Sequence, residues 1–227
     1  MYWLQECLYC KNYVYRVAKN NLKCSVCHKK TSIAKINKII FLIECFINNI
    51  TALQASRMYN ISYISTKNYY HDFRIVATNI LENNYKTLHN NPVEYEEYFY
   101  IEKSKRKKEN AIFEAHNFLT FDYNGYIYNI VMPSLEKYKN QFIKDNVDTV
   151  YIDEFKRFKR TYKIIKISKR YNRIIKFWNF LEKNIVIYKG ISVKLFPYYL
   201  KEFEFKFNYT KQQATALLIQ NYFKEEI

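Results

Sequence analysis

Four cysteines in two Cys-x-x-Cys pairs, Cys7 with Cys10 and Cys24 with Cys27, are the residues of this chain whose spacing most directly implies chemistry. Each pair can present two thiolates to one tetrahedral Zn2+, and two such knuckles complete a four-sulfur structural site. The segment from Lys11 to Lys23 reads as a short hairpin turning at Asn20-Asn21. The expected unit is therefore a zinc ribbon over residues 1–32, in preference to disulfides or free thiols. His28 directly follows Cys27, but the sulfur set is already complete, so it is expected as a solvated neighbour. Cys45 falls on the apolar face of the next helix and reads as core. Ribbons of this kind serve many functions, so the ribbon alone does not select one.

Two charged clusters follow. Glu94, Glu96 and Glu97 crowd a segment that otherwise alternates like a strand, where they form either a solvated edge or part of a metal site. Lys103, Lys105, Arg106, Lys107 and Lys108 form a basic run that suits a solvated hairpin loop, a phosphate-contacting loop or a localisation signal. The formal charge of +16 favours a polyanionic partner over an acidic protein, with double-stranded DNA the natural candidate, and no small-molecule substrate is expected. Part of that charge follows composition: 24 Tyr and 17 Phe against 2 Gly, beside abundant Ile, Asn and Lys, resemble codon usage in an AT-rich genome.

The elements that position these groups change character along the chain. Ile36, Ile39, Ile40, Ile43, Phe46 and Ile47 recur at helical spacing. Thr51 can cap a second helix carrying Leu53, Ala55 and Met58, and Asn60-Ile61-Ser62 makes a turn into a third, from Ser62 to about Arg74. Residues 33–82 therefore read either as three packed helices or as a helix-turn-helix, with Tyr63, Ser65, Thr66 and Lys67 placed to reach the major groove. Residues 83–92 are polar and Asn-rich, as a linker would be. Beyond them Val93–Ile101, Ala111–Phe118, Tyr126–Met132 and Thr149–Ile152 read as strands, with Asn124-Gly125 a hairpin turn and Ser134 capping a helix to about Lys144. The aromatic residues Tyr95, Tyr98, Phe99 and Tyr100 read as the inward face of the first of these strands. From Asn172 a helix bearing Phe177 and Trp178 runs to Asn184, Gly190 turns the chain, and a second helical run covers Val193 to Phe207. The expected fold class is α/β, a mixed sheet with flanking helices. With 49% hydrophobic residues the chain can bury one sizeable core and a small appendage. No apolar run approaches the ~20 residues of a membrane span and the start is not a signal peptide, so a soluble intracellular protein without membrane partners is expected.

The segment from Arg173 to Asn208, with Phe177, Trp178, Gly190 and the ending YLKEFEFKFN (Tyr199 to Asn208), resembles the C-terminal block of the Merlin-type DDE transposases and related bacterial insertion-sequence transposases. That family also carries a zinc ribbon, a helix-turn-helix ending in a His-x-x-Arg like His71 and Arg74, and a ribonuclease-H-like domain. The resemblance implies such a domain over residues 93–227 and DNA contact through Arg74 and the basic loop; the basic run, read as a localisation signal, places the protein in the nucleus of a eukaryotic host, and the sequence leaves the oligomeric state open, a homodimer included. It also implies three carboxylates on two divalent ions, which would activate the attacking oxygen and stabilise the leaving 3′ oxygen. The positions that match are Glu96, Asp153 and Ile175, of which only Asp153 has the expected identity. Glutamate at 96 displaces its carboxylate by about 1 Å, and isoleucine at 175 cannot bind metal. Glu182 is no evident replacement, being about 10 Å further along the helix. The expectation is a DNA-binding protein with an incomplete catalytic triad. Zn2+ is then structural, and Mg2+ is a cofactor only if the centre still works. The alternatives are an active transposase and a zinc-ribbon scaffold for protein partners.

Overall fold

The computed structural model describes residues 6–7, 9–18, 20–88, 94–102, 105, 111–132 and 172–225. The strand expected over Thr149–Ile152, the helix from Ser134 to Lys144, and Asp153 lie outside the described residues, as do Lys103, Arg106, Lys107 and Lys108. Within them the chain mixes six α-helices with two three-stranded antiparallel sheets.

The first sheet is β1 (Val14–Ala18), β2 (Asn21–Cys24) and β3 (Lys30–Ser32) in sequence order, with the β1–β2 turn where the Asn pair predicts it. β3 runs directly into α1 (Ile33–Ile47), whose Ile36, Ile39, Leu42, Ile43, Phe46 and Ile47 are buried along one stripe. Asn49, at φ 59°, turns the chain out of α1. Thr51 then caps α2 (Ala52–Met58) with a full capping box: its hydroxyl accepts from the Gln54 N–H, and the Gln54 side chain accepts from the Thr51 N–H. After a short turn α3 (Tyr63–Thr87) runs for 25 residues, 13 beyond the expected end at Arg74. Phe73, Val76, Ala77, Ile80 and Leu81 continue its buried stripe, so the helix persists through part of the segment read as a linker.

The second sheet is β4 (Glu94–Tyr100), β5 (His116–Tyr123) and β6 (Tyr126–Val131), again in sequence order. The expected strand from Ala111 begins later: Ala111–Glu114 is a 3-10 turn, and pairing starts where His116 meets Tyr100. The β5–β6 turn has Asn124 at φ 52° and Gly125 at φ 96°, the two left-handed residues a tight two-residue hairpin requires. Alternation on β4 places Glu96, Tyr98 and Tyr100 inward, while Tyr95 is 66% exposed and Phe99 half-buried, so only two of the four aromatics face in.

Three helices complete the chain: α4 (Arg173–Ile185), α5 (Phe196–Asn208) and α6 (Lys211–Glu225). Pro197 in the first turn of α5 sets its start three residues after the expected Val193. α4 and α5 cover the second sheet, burying Phe177, Trp178, Leu181, Leu200 and Phe203 against Tyr98, Phe118 and Ile127. α6 returns to the other end of the molecule, where Ala214, Leu218, Ile219, Tyr222 and Phe223 join α1, α3 and Leu22 of the ribbon. α5 belongs to both cores, with Phe203 in one and Phe205 in the other. The helical region before residue 83 therefore completes its core with the last helix of the chain. No helix among the described residues is long and apolar enough to cross a membrane.

Candidate functional site

The four ribbon sulfurs come together. Cys7 and Cys10 lie in the loop before β1, Cys24 ends β2 and Cys27 sits in the turn after it; all four ligand atoms lie within 4.8 Å of one another. Cys7 Sγ is 3.6 Å from Cys27 Sγ, and Cys10 Sγ is 3.4 Å from Cys24 Sγ. Tetrahedral ligands at a Zn–S distance of ~2.3 Å stand ~3.8 Å apart, so the set fits one such ion. Each knuckle ends in a left-handed residue, Lys11 at φ 62° and His28 at φ 59°, which folds the chain back around the sulfurs. The N–H groups of Val26 and Cys27 both point at Cys24 Sγ, at 3.4 Å. Burial pushes the Cys7 thiol up to about 12, whereas the Asn12 side chain and N–H pull Cys10 down to about 6. Four thiolates so close repel one another, and a bound cation is what lets all of them ionise. His28 is exposed and outside the cluster, as its position after a complete set implies.

At the start of the second sheet, Glu96 is 5% exposed, so it is not part of a solvated acidic edge. Its cross-strand neighbours are Thr120 and then Asn129, both buried, so the three polar side chains form a row under α4 and α5. Trp178 Nε1 donates to Thr120 Oγ1 at 2.9 Å, Thr120 donates to Asn129 Oδ1 at 2.6 Å, and Asn129 donates to Glu204 at 2.8 Å. Above Glu96 sits Asn172, which caps α4 by accepting from the Ile175 N–H at 3.0 Å. The Asn172 amide donates to Glu94 at 2.5 Å and lies 3.4 Å from Glu96 Oε1. Position 96 and the first turn of α4 are thus neighbours, and the helix brings there an amide and the 5%-exposed Ile175, which packs into the apolar cluster. Glu182, two turns on, accepts from Tyr98 OH at 2.5 Å.

The residues expected to meet DNA separate into two groups. Tyr63, Ser65 and Lys67 are exposed at the start of α3. Thr66 is fully buried and donates to the Ser62 carbonyl at 3.0 Å, so it faces the core and not a groove. Arg74 is also corrected: at 5% exposure it donates to Glu202 at 2.7 Å and stacks 3.9 Å over the Tyr199 ring, which leaves no guanidinium for a phosphate. Lys105, the one described cation of the basic run, lies 3.8 Å from Glu114.

A network of buried charge on α5 was not evident from sequence. Glu202 accepts from Arg74, Lys206 and Tyr188, and Lys206 also reaches Asn49 at 2.9 Å. Burial pushes the Glu202 carboxyl up, but Lys206 and Arg74 override it and hold it below the usual carboxylate value. Glu204 pairs with Lys201 at 3.1 Å, and Lys201 reaches Glu82 of α3 at 3.2 Å. The signal available in the sequence was spacing: Lys201 with Glu204 and Glu202 with Lys206 stand at i,i+3 and i,i+4. Asn172 could have been found as the polar residue that opens a helical pattern. No family model, curated protein or solved structure matches the chain.

Proposed function

We propose that the chain derives from a Merlin-type DDE transposase, binds duplex DNA and does not cut or join it. The observation that carries the inactive part of this reading is the start of α4, where Asn172 lies 3.4 Å from Glu96 and Ile175 is buried at the position at which the ancestral chemistry needs its third carboxylate. Glutamate and an amide can orient water, but an isoleucine side chain in an apolar cluster contributes no ligand to a metal pair. The antiparallel order β4-β5-β6, with α4 packed on the sheet, suits the first half of a ribonuclease-H-like domain. The four-sulfur cluster suits structural zinc, which would hold the ribbon closed and take no part in strand chemistry. DNA contact falls to Tyr63, Ser65 and Lys67 at the exposed start of α3, with the basic run assisting through phosphates and directing the protein to the nucleus of a eukaryotic host.

Duplex binding should weaken with salt, with a slope near −0.9 per phosphate neutralised, and Lys67→Ala should make that slope shallower by about one unit. With Mg2+ or Mn2+ the protein should leave supercoiled DNA intact. Nicking that disappears in Asp153→Ala would overturn the inactive reading. A chain that binds no duplex at any salt concentration would overturn the whole proposal.

A further inference from the structure

α2 and α3 are joined by the four residues Tyr59–Ser62, with Asn60 at φ 52° at the bend, and Ala55, fully buried on α2, lets the two helices approach closely. Thr66 and Tyr70 turn one face of α3 into the core, at 0% and 1% exposure. The opposite face therefore carries Ile64, Lys67 and Asn68, all exposed, with Ile64 at 70%. Met58, Tyr59 and Tyr63 extend this surface at 60%, 38% and 49% exposure. A single exposed isoleucine is ordinary, but a group of large apolar side chains at one helical corner marks a contact surface.

Charge identifies what that surface meets. No acidic residue occurs between Glu44 and Asp72, a stretch that contains Arg57, Lys67 and the whole corner. Arg57 and Lys67 are exposed on either side of the turn, and Lys38 lies 5.4 Å over the Tyr69 ring beside Asn68. A surface with apolar groups at its centre and cations around it complements a duplex groove whose floor carries methyl groups and whose walls are phosphate; the first carboxylate on this face of α3 is Asp72, one turn beyond Asn68. The exposed start of α3 has no arginine to grip guanine; beside the hydroxyls of Tyr63 and Ser65 and the ammonium of Lys67, its outermost face offers base edges a hydrocarbon, Ile64, and an amide, Asn68.

Resting on the DNA-binding reading above, we infer that this corner selects A·T base pairs in the major groove. Ile64 packs against the thymine C5-methyl, Asn68 makes the bidentate contact to adenine N7 and N6, and Lys67 and Arg57 hold the flanking phosphates. The test uses the zinc-loaded full chain with equal-length A·T and G·C duplexes, and an A·T duplex in which every thymine is replaced by deoxyuridine. All titrations are read by fluorescence anisotropy at one salt concentration. The A·T duplex should bind about tenfold more tightly than the G·C duplex. Removing the methyl groups should weaken wild type severalfold but leave Ile64→Ala unchanged, and Asn68→Ala should lose most of the A·T preference. Position 64 is exposed, so Ile64→Ala should keep the fold, which circular dichroism checks. Equal affinity for A·T and G·C duplexes overturns this inference while leaving the DNA-binding reading intact. So does an equal loss on deoxyuridine in wild type and Ile64→Ala, the result expected if the corner instead docks a protein. Failure to bind any duplex overturns both.

Discussion

Glu202 has no exposed surface, yet three donors from three parts of the chain converge on it: Arg74 of α3, Tyr188 of the α4–α5 connection and Lys206 of α5. A buried carboxylate with two cations is stable only as a set, because removing one partner leaves charge in a medium that cannot solvate it. Glu202→Ala should therefore cost about 3–5 kcal/mol in urea unfolding, far more than a surface ion pair. A loss below about 1 kcal/mol would mean that water reaches the pair. Glu204, two residues on, behaves in the opposite way: burial pushes its carboxyl up to about 7, and Lys201 and Asn129 offset that only in part. Because the folded value lies above the ordinary 4.5, the native state holds the proton more tightly. The stability it contributes is fully present below pH ~4.5 and is lost as the pH rises to ~7. A shift of that size corresponds to about 3 kcal/mol. Urea unfolding at pH 5 and pH 7, which spans most of that range, should show wild type losing about 2 kcal/mol more than Glu204→Gln, and parallel losses in the two proteins would refute the assignment.

Local chemistry sets the elements that the sequence makes legible. Thr51 and Gln54 announce α2, Asn124-Gly125 announces the β5–β6 hairpin, and the Cys-x-x-Cys spacing announces the sulfur cluster. In each case the cause lies within a few residues: a cap, a left-handed turn, two ligands of one ion. What stayed hidden depends on distant partners. Nothing near Arg74 distinguishes a groove-facing guanidinium from one paired with Glu202, 128 residues away. Glu96 looks like its solvated neighbours until Thr120, Asn129 and Asn172 are placed around it. α3 outlasts its expected end because α6 supplies apolar partners for its second half, and the weakly patterned sequence from Lys211 gave no warning of that helix. The dependence is testable at this scale. Phe223→Ala should cost about 3–5 kcal/mol, and hydrogen exchange should show α1 and α3 losing protection together with α6. Loss confined to α6 would mean that it rests on the core without completing it.

Across the whole molecule, the ribbon, the helices and the second sheet are coupled in series. Leu22 of β2 is buried in the core built by α1, α3 and α6, Val14 and Tyr9 pack against it, and Tyr9 meets Phe223 edge-on at 6.3 Å. α5 then carries the coupling to the sheet, since Phe205 lies in the first core and Phe203 in the second. This arrangement makes metal removal more than a local event. Without an ion the clustered thiols repel as they ionise, the knuckles open, and β2 loses the turn that presses Leu22 inward. Exposing Leu22 and part of its neighbours forfeits about 2–4 kcal/mol of apolar burial, which for a chain of this size lowers Tm by about 5–10 °C. Chelation should therefore lower the melting temperature followed at the tyrosine and tryptophan residues far from the ribbon, and Cys10→Ser with Cys27→Ser should reproduce the shift without chelator. If the ribbon alone loses order while the melting of Trp178 in the second core is unchanged, the coupling through Leu22 and α5 is too weak to join the parts into one cooperative unit.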